Sequence, residues 1–250
     1  MSIDLRANCV AQYKMNDNAA STTVVDSQGF SNGTAQQNTS VLHATGKIGG
    51  ALTFNGTSDY VDTNSTFVSV FQNSFTISVW ARPSALQSSS IIGFYSSGLD
   101  DPLIYVGDLN RRMEAEYKIN STTFFYKSSS PTNINSSPYT AWGHLIFRAT
   151  KLSSSQASFG IFINNSQIGT DQTVDLNMAD FSLAGNILIG NDSVSSPYFF
   201  TGDIDNVCIF NKALSTDEIA FLYNNGNGTE NLFEETGAPM DDFLTGCWAF

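Results

Sequence analysis

The chain has 250 residues, enough for one large sandwich or two small domains, and an all-β composition of this length points to a single main domain with a sizeable core. Its 19 Phe, 9 Tyr and 3 Trp, set against only 14% charged residues, favour β-structure with polar turns over helix bundles. A formal charge of −12 and a pI near 4.3 argue against nucleic acid or anionic lipid as partners, and no apolar run reaches the roughly 20 residues that span a bilayer.

Residues 1–9 lack the apolar core of a signal peptide, so the sequence as given shows no export signal of its own. Strands are expected at 9–15, 51–54, 60–62, 75–82, 91–95, 103–106, 112–119, 123–127, 143–150, 158–163, 167–170, 187–189 and 202–210. Each is a β-branched and aromatic cluster or an alternation of apolar and polar residues, bounded by Gly, Asn, Ser or Pro. Gly49 and Gly50 allow a sharp turn before Leu52 and Phe54 enter the core. In 75–80, Phe75, Ile77 and Val79 point one way and Thr76, Ser78 and Trp80 the other, which suits an inner strand with a partly covered second face. Asn164 and Asn165 tolerate the left-handed backbone of a tight hairpin turn. In 204–210 the inward set is Ile204, Val207 and Ile209, and the broken alternation at Asp205 and Asn206 predicts a bulge.

One short helix is expected at 215–224, where Ser215 and Glu218 form a capping box before Ile219 to Tyr223 and a stop at Asn225-Gly226. Residues 1–226 then make one domain and 227–242 an acidic linker. The ending, 243–250, aligns with 9–15 when Trp248 is set against Tyr13 and Phe250 against Met15. It is either the opening strand of a second copy or a tail strand docked on the same domain.

Cys9, Cys208 and Cys247 fit neither a disulfide framework nor a zinc motif and read as buried thiols. A Cys9 to Cys208 bridge requires the first and last core strands to pair. Nine Asn-x-Ser/Thr sequons, at Asn32, Asn38, Asn55, Asn64, Asn120, Asn135, Asn164, Asn191 and Asn227, arise by chance in a chain this rich in those residues and matter only in a host that glycosylates them.

Three stretches together resemble the laminin-G-like domains of the concanavalin A-like lectin and glucanase superfamily. They are Val24-Val-Asp-Ser-Gln-Gly with Asn32-Gly-Thr and 46–61, then Phe75-Thr-Ile-Ser-Val-Trp-Ala-Arg-Pro83, then 200–215 with its helix. Order and spacing match over roughly residues 8 to 226. The resemblance implies an all-β jelly-roll sandwich of two antiparallel sheets with terminal strands adjacent. It also implies a structural Ca²⁺ near the loop after the first strand, with Asp26, Asn32 and Asp205 at the matching positions and loop carbonyls completing the six to eight oxygens. Asp26 capping a turn, and Asp205 bonding neighbouring amides, explain these residues as well as a metal does.

Carbohydrate binding needs aromatic faces and polar side chains for hydroxyls. The candidates are Tyr105, Arg112, Glu114, Glu116 and Tyr126, with Lys118 beside them. A solvated outer face of alternating charge accounts for Arg112, Glu114, Glu116 and Lys118 equally. Glu114 and Glu116 stand roughly 6.5 to 7 Å apart along a strand, a spacing compatible with carboxylate-pair chemistry. The three-acid pattern Glu-x-Asp-x-x-Glu of the glucanases is nevertheless missing, and neither His43 nor His144 sits in a catalytic motif. The expectation is a non-catalytic module that binds carbohydrate or a surface glycoconjugate in an extracellular, cell-surface or virion setting, with further copies as possible partners. A purely structural or adhesive module of an array is the alternative, ahead of a glycoside hydrolase.

Overall fold

A computed structural model describes residues 2–84, 89–96, 99–107, 112–119, 122–128, 141–182, 185–192 and 198–234. In chain order the strands are β1 (Cys9–Tyr13), β2 (Thr23–Val24), β3 (Gly33–Ala35), β4 (His43–Thr45), β5 (Gly50–Asn55), β6 (Val61–Asp62), β7 (Phe75–Pro83), β8 (Ser89–Ser96) and β9 (Leu99–Gly107). They continue with β10 (Arg112–Ile119), β11 (Thr122–Ser128), β12 (Gly143–Lys151), β13 (Gln156–Ile163), β14 (Ser166–Gln167), β15 (Gln172–Asp175), β16 (Ile187–Ile189) and β17 (Thr201–Phe210). Helices α1 (Thr39–Leu42) and α2 (Val68–Phe71) are single turns, and α3 (Thr216–Tyr223) follows β17.

The strands form two antiparallel sheets, the expected jelly-roll sandwich. One runs β14-β13-β12-β7-β17-β5-β4, with β1 also on β17 and β15 on β13; the other runs β11-β10-β9-β8-β16-β6-β3-β2. Because side chains alternate along a strand, β7 sends Phe75, Ile77, Val79 and Ala81 into the core between the sheets, where they meet Ile91, Ala115, Tyr117 and Ile189 of the facing sheet. Aromatics fill this layer: Phe75 lies edge-on to Phe71 and Phe147, and Tyr117 stacks on Phe181. Each fully buried Phe is worth about 1.5–3 kcal/mol of transfer free energy, and the Tyr117 hydroxyl keeps its hydrogen bond by donating to the Phe71 carbonyl at 2.7 Å.

A second, smaller core lies on the opposite face of the larger sheet. Ile146, Phe162, Cys208 and Phe210 are covered there by Leu214, Ile219 and Leu222 of α3 and its approach. The capping box forms as expected: Ser215 Oγ accepts from the Glu218 amide and Glu218 accepts from the Ser215 amide. With one sheet face on each core, β7 and β17 are buried nearly throughout.

The expected bulge appears as a register shift between Asp205 and Cys208, with Asn206 at φ 43°. The hairpin joining β13 to β14 turns through Asn164 and Asn165 at φ 49° and 64°. The strand expected at 167–170 stops at Gln167, because Gly169, at φ 65°, turns the chain away. Strands β2, β3, β4 and β15 and helices α1 and α2 were not expected. Gly33 lies in β3, where a Cβ would come within 2.7 Å of Val61 Cγ1. Residues 228–234 lie against the domain: Leu5 N–H donates to Leu232 O at 2.7 Å, and Glu234 N–H donates to Ile3 O at 2.8 Å. Residues 235–250, including the stretch 243–250, fall outside the described residues.

Candidate functional site

The five ligand candidates fall on three adjacent strands. Tyr105 of β9 is opposite Glu114 of β10, Arg112 is opposite Gly107, and Glu116 is opposite Tyr126 of β11. Cross-strand partners in an antiparallel pair stand about 4.5–5.5 Å apart, so Tyr105 with Glu114 and Glu116 with Tyr126 form two neighbouring pairs. Ala115, Tyr117 and Ile119 are buried in the core between the sheets while Glu116 between them is half-buried, which places position 116 on the outer surface of the eight-stranded sheet. Only the backbone of Tyr105, Arg112, Glu114 and Tyr126 is described.

The expected metal residues separate into two places. Asp26 is buried, and each carboxylate oxygen already carries two backbone donors: Gln12 and Gln28 N–H on Oδ1 at 2.9 and 3.0 Å, Phe30 and Ser31 N–H on Oδ2 at 2.9 and 3.1 Å. The Asn32 side-chain oxygen accepts from the Asp26 amide at 3.0 Å. This pair organises the turn between β2 and β3, and the two Asp26 oxygens are filled.

Asp205 differs. It sits at the β17 bulge with no exposed surface, and its Oδ2 accepts from Ile48 N–H at 2.8 Å. Among the described residues its Oδ1 has no hydrogen-bond partner. Burial drives its carboxyl up to about 7, against the lowering effect of the Ile48, Lys47 and Asn206 amides. Gly46 is required beside it, since a Cβ there would lie 2.7 Å from Asp205 Oδ2 and 2.0 Å from Gly50 O. Asn16 Oδ1 accepts from Gly50 N–H at 2.5 Å and its Nδ2 donates to Glu230 Oε1 at 2.6 Å. Gln12 Nε2 donates to Glu230 O and to Asn206 Oδ1, while Asn206 Nδ2 donates to Thr229 O. A cradle of oxygens from the end of β1, the 46–50 loop, the bulge and the 228–234 segment thus surrounds a buried carboxylate. The sequence gives no local sign of Asn16 or Glu230 as members of it. Among the described residues no three His, Cys, Asp or Glu side chains gather closely enough to make a metal site by themselves, so main-chain and amide oxygens dominate the cradle.

A third polar cluster lies under α3. Ser78 Oγ and His144 Nε2 are 2.8 Å apart, and the imidazole stacks on Trp80 at 4.9 Å and lies 6.0 Å from the Tyr223 ring. Ser78 and His144 are only 3% and 1% exposed, so the pair is closed to solvent where a nucleophile and its base need access to substrate.

The laminin-G-like profile of the concanavalin A-like lectin/glucanases superfamily matches residues 55–220. Similar solved structures include domain 4 of AbnA, a GH43 extracellular arabinanase from Geobacillus stearothermophilus in complex with arabinotriose, at 17% identity and TM-score 0.53, over 89% of this chain and 98% of that one. Trypanosoma rangeli sialidase in complex with sialic acid aligns at 15% identity and TM-score 0.59 over 90% of this chain, which spans 34% of the sialidase chain. The botulinum neurotoxin serotype D binding domain aligns at 16% and TM-score 0.62, over 88% of this chain and 52% of that one. At these identities the likeness is one of fold. No curated protein matches the sequence.

Burial holds the His144 imidazole down to about 3, well below its ordinary value of 6.5. Between those values the unfolded chain takes up a proton that the folded one refuses, so this residue's contribution to stability falls as pH drops below about 6.5. Urea midpoints at pH 7 and pH 4.5 will differ less in His144→Gln than in the parent.

Proposed function

The chain belongs to the concanavalin A-like lectin/glucanases superfamily, and from that premise we propose that it is a non-catalytic module that binds a carbohydrate on β9, β10 and β11. The observation that supports this reading most is the register of those strands, which sets Tyr105 against Glu114 and Glu116 against Tyr126, with Arg112 two positions along β10. Tyr, Glu and Arg are residue types that can offer a sugar an apolar face to stack on and acceptors and donors for its hydroxyls. The arabinotriose bound by the structurally similar arabinanase domain makes a neutral oligosaccharide the first probe to use. The missing three-acid glucanase pattern and the buried Ser78–His144 pair support a role without catalysis. The setting we propose is a secreted, cell-surface or virion assembly.

A structural calcium ion belongs to the same proposal, at Asp205 rather than at Asp26. A hard cation takes six to eight oxygens, and the buried Asp205 Oδ1 is a carboxyl oxygen with no hydrogen-bond partner among the described residues, whereas the Asp26 oxygens are filled by four amides. Asp205, Asn16, Glu230 and carbonyls of the 46–50 loop would hold it. Its charge would keep the Asp205 carboxylate ionised within the fold and fasten the 228–234 segment to the bulge.

Two measurements test these statements. In calorimetric titrations with arabinotriose and a panel of neutral and acidic oligosaccharides, at least one ligand will bind, and Glu116→Gln or Tyr126→Ala will weaken it by about tenfold or more, roughly 1.4 kcal/mol; release of reducing ends from the same sugars would overturn the non-catalytic reading. Millimolar Ca²⁺ will raise the melting temperature by roughly 5 °C over EDTA, as expected for a ligand at about a hundred times its dissociation constant. Asp205→Asn will abolish that difference and Asp26→Ala will leave it in place, whatever each does to the baseline.

A further inference from the structure

Two thiols remain that neither the proposed ligand surface nor the cation cradle uses. Cys9 begins β1 and Cys208 lies near the end of β17, and both are free and buried. The two strands pair directly, with Cys9 opposite Phe210, Ala11 opposite Ile209 and Gln12 opposite Cys208. Cys9 and Cys208 are therefore diagonal neighbours on one ladder. Both project to the same side, into the small core with Leu5, Ile146, Phe210, Leu214 and Leu222.

A regular ladder holds diagonal positions about 7–8 Å apart at Cα, just beyond the roughly 6.8 Å that a disulfide spans. Here the ladder is irregular at that point. The register shifts between Cys9 and Ala11, and a bulge bends and twists its strand. The adjacent Cys9 thiol, followed by burial, pushes the Cys208 thiol well above its ordinary value, which agrees with two sulfurs facing each other. The Cys9 thiol donates to Ala11 O at 3.3 Å and the Cys208 thiol points to Asn206 Oδ1 at 3.7 Å, both neutral oxygens.

We propose that Cys9 and Cys208 are a disulfide-forming pair that staples β1 to β17. The reaction is thiol–disulfide exchange with a small-molecule disulfide: one protein thiolate displaces a thiol from it to give a mixed disulfide, and the second protein thiolate displaces the other. One S–S bond forms in the protein, one is broken in the oxidant, and two small thiols leave with the two protons. About four-fifths of the chain lies between the two cysteines, so the closed loop is long and the bond restricts the unfolded chain strongly. The staple would also fix β1, whose Gln12 holds both the Asp26 turn and the 228–234 segment.

The test uses the full chain with Cys247→Ser, leaving two thiols. The protein is refolded in a buffer of oxidised and reduced glutathione, quenched with acid, and its intact mass and alkylatable thiols are read. The proposal expects a mass lower by two hydrogens, no alkylatable thiol, a cross-linked Cys9–Cys208 peptide, and a melting temperature roughly 5 °C above that in dithiothreitol. Cys9→Ser and Cys208→Ser should each lose the redox dependence of melting while still folding, as judged by far-ultraviolet circular dichroism. Two alkylatable thiols in the folded product, or glutathione attached to either cysteine without a cross-link, would overturn it.

Discussion

The pairing of β17 is the constraint on which the rest of the molecule depends. Along one edge this strand meets β7, and along the other it takes β5 over its first half and β1 over its second. Every residue from Gly202 to Phe210 is buried. Such a strand leaves no backbone group to water, so a disturbance in its ladder is costly unless other polar groups complete it. The disturbance at Asp205 to Cys208 is completed in that way. It flips the alternation, letting Ile204, Val207 and Ile209 all face the core between the sheets while Cys208 and Phe210 face α3. It also buries the Asp205 carboxylate against the 46–50 loop and turns Asn206 toward Gln12 and Thr229. One extra residue in one strand thus places Asp205 in the oxygen cradle and turns Cys208 and Phe210 to the second core.

Much of this was legible in the sequence because the physics is local. Phe75 to Trp80 alternates, Ser215 and Glu218 cap, Asn164 and Asn165 turn, and the break at Asp205-Asn206 interrupts an otherwise regular strand; each needs only neighbours in the chain. The short strands β2, β3 and β4 could not be read, since two or three residues such as Thr23–Val24 carry no periodicity of their own; β3 pairs with β6, β2 with β3 and β4 with β5. Gly33 is a glycine within a strand because Val61 leaves no room for a side chain there. The cradle was half visible. Asp205 stood out within its motif, but Asn16 and Glu230 come together across 214 residues, and the stretch containing Glu230 has the composition of a linker. Asp26 was visible for a different reason from its actual work, which is to gather three amides of the turn and the Gln12 amide of β1 around itself.

The two halves of the sandwich are specialised differently. The nine-stranded sheet is covered on both faces around β7 and β17, and its buried polar groups include Ser78 with His144, Asp205 with its amides, and Thr76, whose hydroxyl donates to Lys212 O and accepts from Leu214 N–H. Such groups, once satisfied, fix a unique packing and are poor places for a ligand to enter. The eight-stranded sheet keeps its outer surface at β10, with Glu116 half-buried there. In the proposed reading the larger sheet is the frame, tightened by a cation and a staple, and the smaller sheet presents the ligand surface.

That division is tested most directly by amide chemical-shift mapping of the isotope-labelled full chain titrated with arabinotriose and with whichever oligosaccharide binds best in the panel. The account predicts saturable shifts centred on β9, β10 and β11, at Tyr105, Glu114, Glu116 and Tyr126, with β7 and β17 unmoved. Shifts confined to the turn around Asp26, or no saturable shifts with any sugar, would contradict it.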